Sequence, residues 1–458
     1  MVGPNVVGTS ARAIPRAPGG LPLLGHALSL MRNPLDFLVS LAEHGDLVEV
    51  RIGTVRALVV CDPGLTRQVL RDGQTFDKGG PIFQRVAEVL GDNSIGTCPH
   101  GRHRRLRSLV QPAFHRDRLP GYARVMTANY AELGWHDGQV VDVADEMNVR
   151  ALRTLVGTMF SDELAPATTR EIIDDTATTI GEIYRRAVRP PLLDGLPTRG
   201  NRRYRRARAG LRRVIGEVLA ARRAGGADHE DLLTALLTAR LPDGGSTPGG
   251  LSEAEIGDQL TTFLTGGSET AASALAWTLK LLGDHREVRE RLYAELDDVL
   301  DGAPATYDAL PRLRFTTQVV TEALRMYPPA WVFSRTVTAD TDLGGHPVPA
   351  GSTIVFSPYA IHRRPDLYPD PDRFDPDRWG EGTPNRGFFF PFGGGARKCI
   401  GDRFAMTEAV LALANIVSRW HLEPVGETPP TVSIGISLHP RNLLMRATRR
   451  HPVVAGER

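Results

Sequence analysis

The stretch that decides the fold of this chain reads Phe392-Gly393-Gly394-Gly395-Ala396-Arg397-Lys398-Cys399-Ile400-Gly401. Its glycines let the backbone turn sharply and approach a bulky group closely, and their N–H groups can donate hydrogen bonds to a sulfur. A helical pattern follows from Arg403 onward. A cysteine at the start of a helix, beside Arg397 and Lys398, has its thiolate stabilised by the helix dipole and by neighbouring positive charge. The pattern therefore indicates that Cys399 is a metal-ligating thiolate.

Five positions of this stretch resemble the haem-thiolate signature of the cytochrome P450 family. They fit the pattern Phe-x-x-Gly-x-Arg-x-Cys-x-Gly as Phe392, Gly395, Arg397, Cys399 and Gly401. The resemblance implies one haem b (iron protoporphyrin IX) with the sulfur of Cys399 as axial ligand, where a thiolate pushes electron density towards oxygen and favours O–O cleavage. The alternative is a buried free cysteine beside a glycine-rich loop.

The length and composition of the chain fit one large globular domain. Its 458 residues are 41% hydrophobic and 24% charged, which supplies enough apolar side chains for a large core. Because the motifs run without a linker-like break, we expect a flexible segment at residues 1–17 and one cytochrome P450 domain at residues 18–458. The resemblance implies a mainly α fold with a smaller β-rich region. A net charge of +2 argues against a dedicated nucleic-acid or membrane-surface protein.

The cysteine content and the N-terminal sequence predict where the protein works. Cys61, Cys98 and Cys399 form no Cys-x-x-Cys pair and no Cys-x-x-Cys-His motif for covalent haem attachment. So few cysteines fit a reducing cytoplasm, and we expect a cytoplasmic protein. The apolar run at residues 21–24 falls far short of the roughly 20 residues of a membrane helix. No membrane anchor is expected.

Turn and cap residues predict the first elements of the chain. A helix is expected at residues 34–44. Two β-branched segments, residues 47–52 and 55–61, flank Gly53 and predict a hairpin. Asp62 followed by Pro63 predicts the start of the next helix.

The arginine-rich stretch at residues 168–223 predicts two helices with solvated surfaces. Pro190, Pro191 and Pro197 interrupt the helical pattern, and the resemblance implies that this region is the lid over the substrate. A nucleic-acid-binding surface interleaves aromatic residues with its basic ones, whereas Tyr204 is the one aromatic residue among the arginines between residues 202 and 208. We therefore expect no nucleic-acid partner.

A basic pair precedes these helices in the stretch Gly101-Arg102-His103-Arg104-Arg105-Leu106-Arg107. His103 and Arg107 are four residues apart and so share one helix face. A solvated basic face is the simpler interpretation of such a pair. The resemblance to the family implies instead that His103 and Arg107 hold a haem propionate.

A long helix is predicted from the capping box Ser252-Glu253-Ala254-Glu255 to about residue 282, ended by Gly283. Two adjacent glycines in its middle, Gly266 and Gly267, cost about 2 kcal/mol relative to alanine and call for a compensating role. The hydroxyl of Thr270 can bond the carbonyl of Gly266 and open the helix there, which leaves a groove for a small ligand.

The resemblance to the family implies that this helix carries catalytic residues. Glu269 and Thr270 resemble the acid–alcohol pair of the family, which orders water and delivers protons where oxygen is activated. The alternative is a glycine packing contact with an incidental acid beside it. Ala271 departs from the family pattern, which often has Thr or Ser at that position.

A second pair with a structural role follows in Glu322-Ala323-Leu324-Arg325, near a helix end at Pro328 and Pro329. On a surface, the i, i+3 pair of Glu322 and Arg325 would contribute tenths of a kcal/mol. The resemblance implies that the pair is buried and that Arg373, in the segment Pro371-Asp372-Arg373-Phe374, completes it.

The remaining cofactor contacts come from the resemblance. Strands are predicted at residues 332–338 and 353–356, and Arg335 matches the arginine that binds a second haem propionate. Arg397 is expected to join it. Phe392 and Gly393 are expected to lie against the cofactor.

Together these features predict a haem-thiolate monooxygenase that inserts one oxygen atom from O2 into a C–H bond. The sequence contains no flavin or iron–sulfur segment, so the electrons come from separate proteins. The resemblance implies a ferredoxin and a ferredoxin reductase. We expect the ferredoxin to dock near Lys398 and Arg403.

The substrate is predicted less directly. Segments at residues 20–26, 265–269 and 357–361 resemble actinobacterial members of the family that oxidise sesquiterpene hydrocarbons, on routes to terpenoid antibiotics, by successive oxidation of a methyl group. An apolar ligand suits the expected pocket residues, which are Ile82, Phe83, Phe263, Leu264, Gly266, Val332, Phe333 and Ile436. The same residues suit a fatty acid, a steroid or a macrolide.

Three other functional classes are possible from the sequence. A peroxide-using peroxygenase usually lacks the acid–threonine pair, so Glu269 and Thr270 argue against it. A non-catalytic haem protein needs no apolar cavity, and an arginine-rich interaction protein needs no haem.

Overall fold

The structure, a computed structural model, describes residues 13–161, 164–188, 191–225, 229–241, 249–380, 386–426 and 430–450. Contacts divide the chain into two units. Unit 1 comprises residues 1–80, 331–371 and 385–398, and unit 2 comprises residues 81–330, 372–384 and 399–458.

Helices form most of the described chain, as predicted. In chain order they are α1 (Ala27–Arg32), α2 (Pro34–Ser40), α3 (Pro63–Arg71), α4 (Gly80–Leu90), α5 (His100–Val110), α6 (Leu119–Ala131), α7 (Val143–Phe160), α8 (Pro166–Val188), α9 (Arg199–Gly225), α10 (Leu232–Thr238), α11 (Glu253–Asp284), α12 (Arg286–Leu300), α13 (Arg314–Met326), α14 (Pro358–Ile361) and α15 (Asp402–Val417).

Short strands form the smaller β-rich part. They are β1 (Leu47–Ile52), β2 (Val55–Val60), β3 (Phe76–Asp77), β4 (Gln139–Asp142), β5 (Phe333–Val337), β6 (Thr341–Leu343), β7 (His346–Val348), β8 (Thr353–Phe356), β9 (Trp420–Pro424), β10 (Thr431–Ile434), β11 (Leu438–Arg441) and β12 (Leu444–Arg449).

Unit 1 is built on a five-stranded sheet in the order β1-β2-β8-β5-β3. β1 and β2 form the predicted antiparallel hairpin, with Leu47 opposite Val60. β8 joins β2 in parallel and pairs with β5 antiparallel. The apolar side chains of one sheet face pack with those of α3, and the resulting core includes Leu47, Val60, Val69, Phe76, Ile354 and Phe356.

The predicted start of α3 is confirmed in unit 1. The carboxylate of Asp62 accepts a hydrogen bond from the N–H of Leu65 at 2.7 Å, and Pro63 occupies the first turn. Both features are typical of a helix N-terminus, because the first N–H groups of a helix lack partners within it.

Unit 2 is arranged around α11, whose 32 residues make it the longest helix of the described chain. Apolar residues recur along it at helical spacing, and Leu260, Leu264 and Leu275 are fully buried. α7 lies along α11, and the three-stranded sheet β4-β12-β9 and the hairpin β10-β11 complete the β structure of this unit.

The start of α11 is confirmed, but its predicted end is wrong. Ser252 and Glu255 form both bonds of the capping box. The helix continues through Gly283 to Asp284. A Cβ at Gly283 would lie 2.8 Å from Cε of Met445 and 3.0 Å from Cδ of Pro424. The glycine therefore provides close packing against the sheet, and it does not stop the helix.

The N-terminal boundary also differs from the prediction. Residues 1–12 of the predicted flexible segment lie outside the described residues. The rest is paired with β1, because Glu49 N–H donates to the Pro15 carbonyl at 2.8 Å and Ala17 N–H donates to the Glu49 carbonyl at 2.9 Å. Regular pairing thus begins before residue 18.

The arginine-rich region forms two helices as predicted, α8 and α9; Pro190 lies outside the described residues between them. Among the described residues, no helix combines the length and the hydropathy needed to span a bilayer.

Candidate active site

Cys399 lies three residues before the first residue of α15, with Gly401 as the N-cap. Its side chain is exposed, whereas those of Cys61 and Cys98 are buried. Burial raises the pKa of the Cys61 thiol to about 12, because desolvation penalises the thiolate. Cys399 instead has the N-terminal end of a helix beside it, which favours negative charge. It is the cysteine placed to serve as a thiolate ligand.

The glycine-rich loop before Cys399 requires glycine at position 395 because the backbone of Leu70 lies against it. This residue has φ +62°, and a Cβ there would lie 1.8 Å from the carbonyl oxygen of Leu70. No side chain fits at that distance. Gly393 also has positive φ, at +68°, and Phe392 before it is half-buried. The loop is therefore held against α3 by backbone-to-backbone contact within unit 1.

Two buried arginines in unit 1 lie within the electrostatic influence of one aspartate, Asp77. Arg335 is 4% exposed and the side chain of Arg397 is 2% exposed. Nη2 of Arg397 donates to Oδ1 of Asp77 at 2.5 Å. Burial, and then the neighbouring charge of Arg397, lower the pKa of Arg335 to about 10.

Arg335 and Arg397 carry two positive charges, and Asp77 supplies one negative charge beside them. Among the described residues, Nε and Nη1 of Arg397 are buried without a hydrogen-bond partner. Buried guanidinium groups normally bind carboxylate or phosphate. The cluster therefore suits an anionic partner, and the binding of a haem propionate by Arg335 and Arg397 stays a prediction.

His103 and Arg107 lie on one face of α5 in unit 2, at the predicted spacing. His103 is 4% exposed. Burial lowers the pKa of the Arg107 guanidinium, and the negative charges of Cys399 and Asp402 oppose that shift. This interaction places Arg107 in the electrostatic environment of the thiolate. A solvated basic face does not describe the pair.

The two adjacent glycines of α11 have different surroundings. A Cβ at Gly267 would lie 3.1 Å from Cδ1 of Leu155 on α7, so this glycine permits close helix packing. A Cβ at Gly266 would meet no atom within 4 Å, and Gly266 is exposed although Leu264 and Thr265 before it are buried. Gly266 thus leaves open space beside the middle of the helix.

Thr270 makes the predicted hydrogen bond to the carbonyl of Gly266, beside the open space. Its Oγ1 donates to the carbonyl oxygen of Gly266 at 2.8 Å and lies 3.3 Å from that of Gly267. α11 nevertheless runs without interruption through these residues, so the predicted opening of the helical ladder is wrong. The hydroxyl bonds a carbonyl that stays within the helix. The space comes from the missing side chain at Gly266.

Glu269 points to the hairpin β10-β11. Its Oε1 accepts a hydrogen bond from Oγ of Ser437 at 2.7 Å and lies 3.4 Å from Nδ1 of His439. The side chain of Glu269 is 15% exposed. Adjacent residues of a helix point about 100° apart, so Glu269 and Thr270 contact different parts of the protein.

The predicted pocket residues have unequal positions. In unit 2, Phe263 is 7% exposed and packs edge-on against Phe114 at a centroid distance of 5.1 Å, while Leu264 is fully buried. Phe83 is half-buried and Ile436 is 40% exposed. The side chain of Ile82 lies outside the described residues.

The pocket residues predicted in unit 1 are half-buried. Val332 precedes β5 and Phe333 begins it. The ring of Phe333 stacks on that of Phe356 at 5.3 Å and packs against the sheet core. Part of its surface therefore belongs to the core of the unit.

The predicted structural network exists, with one correction. Glu322 and Arg325 are fully buried and form two hydrogen bonds of 2.9 Å. Arg373 contributes its backbone carbonyl, which accepts from Nη2 of Arg325 at 3.3 Å, while its side chain is exposed. The second guanidinium comes from Arg378, whose Nε donates to Glu322 at 3.2 Å. The buried ring of Phe374 and the following 3₁₀ turn (Pro376–Trp379) bring this later arginine back to the carboxylate.

Sequence reasoning missed Asp77, Arg378, Ser437 and His439. Asp77 and Ser437 lie in stretches that match no sequence motif. No sequence spacing connects Asp77 with Arg397, or Ser437 with Glu269. Arg378 carried a detectable signal, because Asp375 and Pro376 before it mark the start of a turn.

Comparisons with known proteins agree with this arrangement. The chain matches the family model "Cytochrome P450" over residues 15–446. It is 46% identical over 418 residues to cyclooctat-9-en-7-ol 5-monooxygenase of Streptomyces melanosporofaciens, with 90% of each chain covered. It is 43% identical over 443 residues to pentalenene oxygenase of Streptomyces avermitilis, with 95% of this chain and 97% of that one covered.

A solved structure shows the same fold. The heme domain of cytochrome P450DA superposes with a TM-score of 0.85 at 28% identity, covering 97% of this chain and 99% of that one.

The fold and the exposed cysteine at the start of α15 define a haem-thiolate protein. The buried arginine cluster fits the anionic edge of such a cofactor. The chain belongs to the cytochrome P450 family and is a monooxygenase of that family, whose haem has an axial cysteine thiolate. The predicted family, fold class, enzyme class and cofactor are thereby confirmed.

Proposed function

We propose that this monooxygenase inserts oxygen from O2 into a C–H bond of an apolar terpene. The specific reaction is stepwise oxidation of a methyl group of a sesquiterpene such as pentalenene, in the biosynthesis of a terpenoid antibiotic. Two relatives at 43–46% identity over at least 90% of the chain, named pentalenene oxygenase and cyclooctat-9-en-7-ol 5-monooxygenase, support this substrate class.

The observation that carries the proposal is the open space at Gly266. A buried helix that leaves such space beside Phe263 and Thr270 can accept a hydrocarbon without offering it an ionic partner. Apolar walls with few polar groups are typical of sites for apolar ligands. The hydroxyl of Thr270 is the polar group next to this space.

The residues that would hold the cofactor follow from the contacts within each unit. Cys399 would ligate the iron, His103 and Arg107 would bind one propionate, and Arg335 and Arg397 would bind the other. Phe392 and Gly393 would lie against the porphyrin. When bound, the haem supplies the activation of dioxygen.

Glu269 and Thr270 would deliver the protons that the reaction consumes. Monooxygenation consumes two protons for each oxygen atom inserted, because the second oxygen atom leaves as water. The Thr270 hydroxyl already donates to the Gly266 carbonyl, so its oxygen is free to accept a hydrogen bond from water in the open space. Oε2 of Glu269 has no partner within the described part of the chain and can exchange a proton with water.

The electrons would come from a ferredoxin and its reductase. Lys398 and Arg403 are both exposed, as docking of an acidic partner requires. We expect Arg403→Glu to raise the ferredoxin concentration needed for half-maximal turnover, with an effect that decreases at high salt. An unchanged requirement would exclude Arg403 from the docking surface.

The experiment that tests the substrate is a spectral titration with pentalenene, followed by product analysis with a ferredoxin, its reductase and NADH or NADPH. The expected result is a substrate-induced shift of the haem spectrum and formation of an alcohol and then an aldehyde at a methyl carbon. A fatty acid, a steroid and a macrolide serve as comparison ligands. If pentalenene gives neither a shift nor a product while one of these does, the sesquiterpene assignment is wrong.

A further inference from the structure

The hairpin β10-β11 is fixed to the face of α11 that carries Glu269. Ser273 and Trp277 follow Glu269 at intervals of four residues and so lie on the same helix face. Both donate a hydrogen bond to the carbonyl oxygen of Leu438, at 3.0 Å in the case of Trp277. The residues on either side of Leu438, Ser437 and His439, are thereby held beside the carboxylate.

Ser437 and His439 contact the same carboxylate oxygen of Glu269. Ser437 is fully buried and donates to Oε1 at 2.7 Å. Nδ1 of His439 is 3.4 Å from Oε1 and, among the described residues, is buried without a hydrogen-bond partner. This distance is within ion-pair range but longer than a well-formed N–H···O bond, so a small rotation of the ring completes the contact.

The ring of His439 connects this carboxylate with solvent. Its side chain is 27% exposed although Nδ1 is buried, so the exposed part is the ring edge away from Glu269. The carboxylate of Asp145 at the start of α7 also interacts with the ring. Burial raises the pKa of Asp145, and the charge of His439 opposes that shift. His439 thus lies near two acids, one of which is the proton donor of the proposed function.

We propose that His439 is a positioning residue that passes protons from solvent to Glu269, while Ser437 fixes the carboxylate that receives them. Solvent protonates the exposed edge of the ring at Nε2. The Nδ1 proton then moves to Oε1 of Glu269, which leaves a neutral imidazole that still carries the Nε2 proton. Rotation of the ring turns Nδ1 to solvent, where it takes up a new proton, and the reverse rotation restores the doubly protonated ring beside Glu269. The inference rests on the proposed role of Glu269 and adds the source of its protons.

This arrangement gives Glu269 a source of protons on a helix face other than the one that carries Gly266. Histidine is the side chain that changes charge between about pH 5 and 8, which suits it to carry protons under physiological conditions. A hairpin that served only to pack against α11 would be equally well held by Ser273 and Trp277 at Leu438. It would not require a histidine with one buried nitrogen directed at a carboxylate.

The test compares His439→Gln with a matched control, His421→Gln. His421 also lies on a strand of unit 2, is 24% exposed and has Nε2 2.8 Å from Oε1 of Glu423. In His439→Gln, product formed per electron pair should fall about tenfold, less than the about 10²–10⁴-fold effect of losing a direct proton donor. Hydrogen peroxide should increase correspondingly, while the substrate-induced spectral shift stays unchanged. His421→Gln should match the wild type.

The pH profile separates proton supply from a packing role. Wild-type product formation should decline as the pH rises and solvent supplies fewer protons to the relay, and this decline should be absent in His439→Gln. A packing defect would lower activity equally at every pH. If His439→Gln matches the wild type at all pH values while Glu269→Gln is impaired, the relay is refuted and the proposed function stands.

A second readout needs no turnover. In the reduced, CO-bound protein labelled with ¹⁵N-histidine, the Nδ1 resonance of His439 should move in Glu269→Gln and stay in place in Glu423→Gln. The resonance of His421 should show the opposite behaviour. An unmoved His439 resonance would contradict the contact itself. If the contact is present but no substrate yields product, the proposed function fails independently of it.

Discussion

The buried carboxylate of Glu322 allows a graded test of the corrected structural network. We expect Arg325→Met, Arg378→Met and Arg373→Met to destabilise the protein to decreasing extents. All three replace an arginine by an unbranched apolar side chain, so differences in helix propensity are small. Only the contacts of the three guanidinium groups differ.

The magnitudes follow from those contacts. Arg325 donates two bonds of 2.9 Å to Glu322, and its loss removes the main partner of a fully buried charge, at about 3–5 kcal/mol. Arg378 donates one bond of 3.2 Å and is 12% exposed, so its loss should cost about 1.5–3 kcal/mol, the usual range for a bond to a charged group. The exposed side chain of Arg373 makes no contact with Glu322, and its loss should change stability by less than about 0.5 kcal/mol.

The measurement is urea-induced unfolding of the haem-loaded proteins, followed by tryptophan fluorescence, together with the fraction of haem retained after gel filtration. Arg373→Met should match the wild type in both. If Arg373→Met loses as much free energy of unfolding as Arg378→Met, the network is assigned to the wrong arginine. If Arg378→Met matches the wild type, its long bond to Glu322 contributes nothing.

Three further predictions concern the reaction centre and its pH dependence. Cys399→Ser should abolish the absorption band that the reduced, CO-bound protein shows with a thiolate ligand, whereas Cys98→Ala should retain it. Thr270→Ala should release more hydrogen peroxide per product formed, whereas Thr278→Ala, which loses the same type of i−4 bond at a fully buried site, should not. Full burial raises the pKa of Glu408 from 4.5 to about 7, so over that pH range the folded protein holds a proton that the unfolded chain releases. The free energy of unfolding should therefore fall by about 3 kcal/mol as the pH rises through this range, and urea unfolding of Glu408→Gln at pH 5 and 8 should show that this component is lost.

Local signals in the sequence predicted most of the elements correctly. The hairpin β1-β2 follows from β-branched segments on either side of Gly53, and the starts of α3 and α11 follow from Asp62 and Ser252. In each case the deciding interaction joins residues only a few positions apart. The sequence therefore contains both partners within one short window.

The predictions failed where a residue acts through a distant partner. Glycine is typical of a helix end, yet Gly283 lies within the helix and allows close packing against Met445 and Pro424, which are far along the chain. Asp77 gains its importance from Arg397, 320 residues later. No spacing rule connects such pairs. The prediction for the Glu322 network was wrong in one residue only. The sequence offers two arginines, Arg373 and Arg378, and the course of the 3₁₀ turn decides which of them reaches Glu322.

Because α11 is unbroken, Glu269 and Thr270 lie on different faces of the helix. Gly266 and Thr270 are four residues apart and share the face with the open space, whereas Glu269 shares its face with Ser273 and Trp277, against the hairpin. Had the helix opened at Gly266, this register would be lost and the two faces would merge. In a regular helix, adjacency in sequence instead places the two groups about 100° apart. Under the proposed function, Glu269 would exchange protons with the hairpin while Thr270 would hold water at the open side, so that the pair would carry protons around the helix.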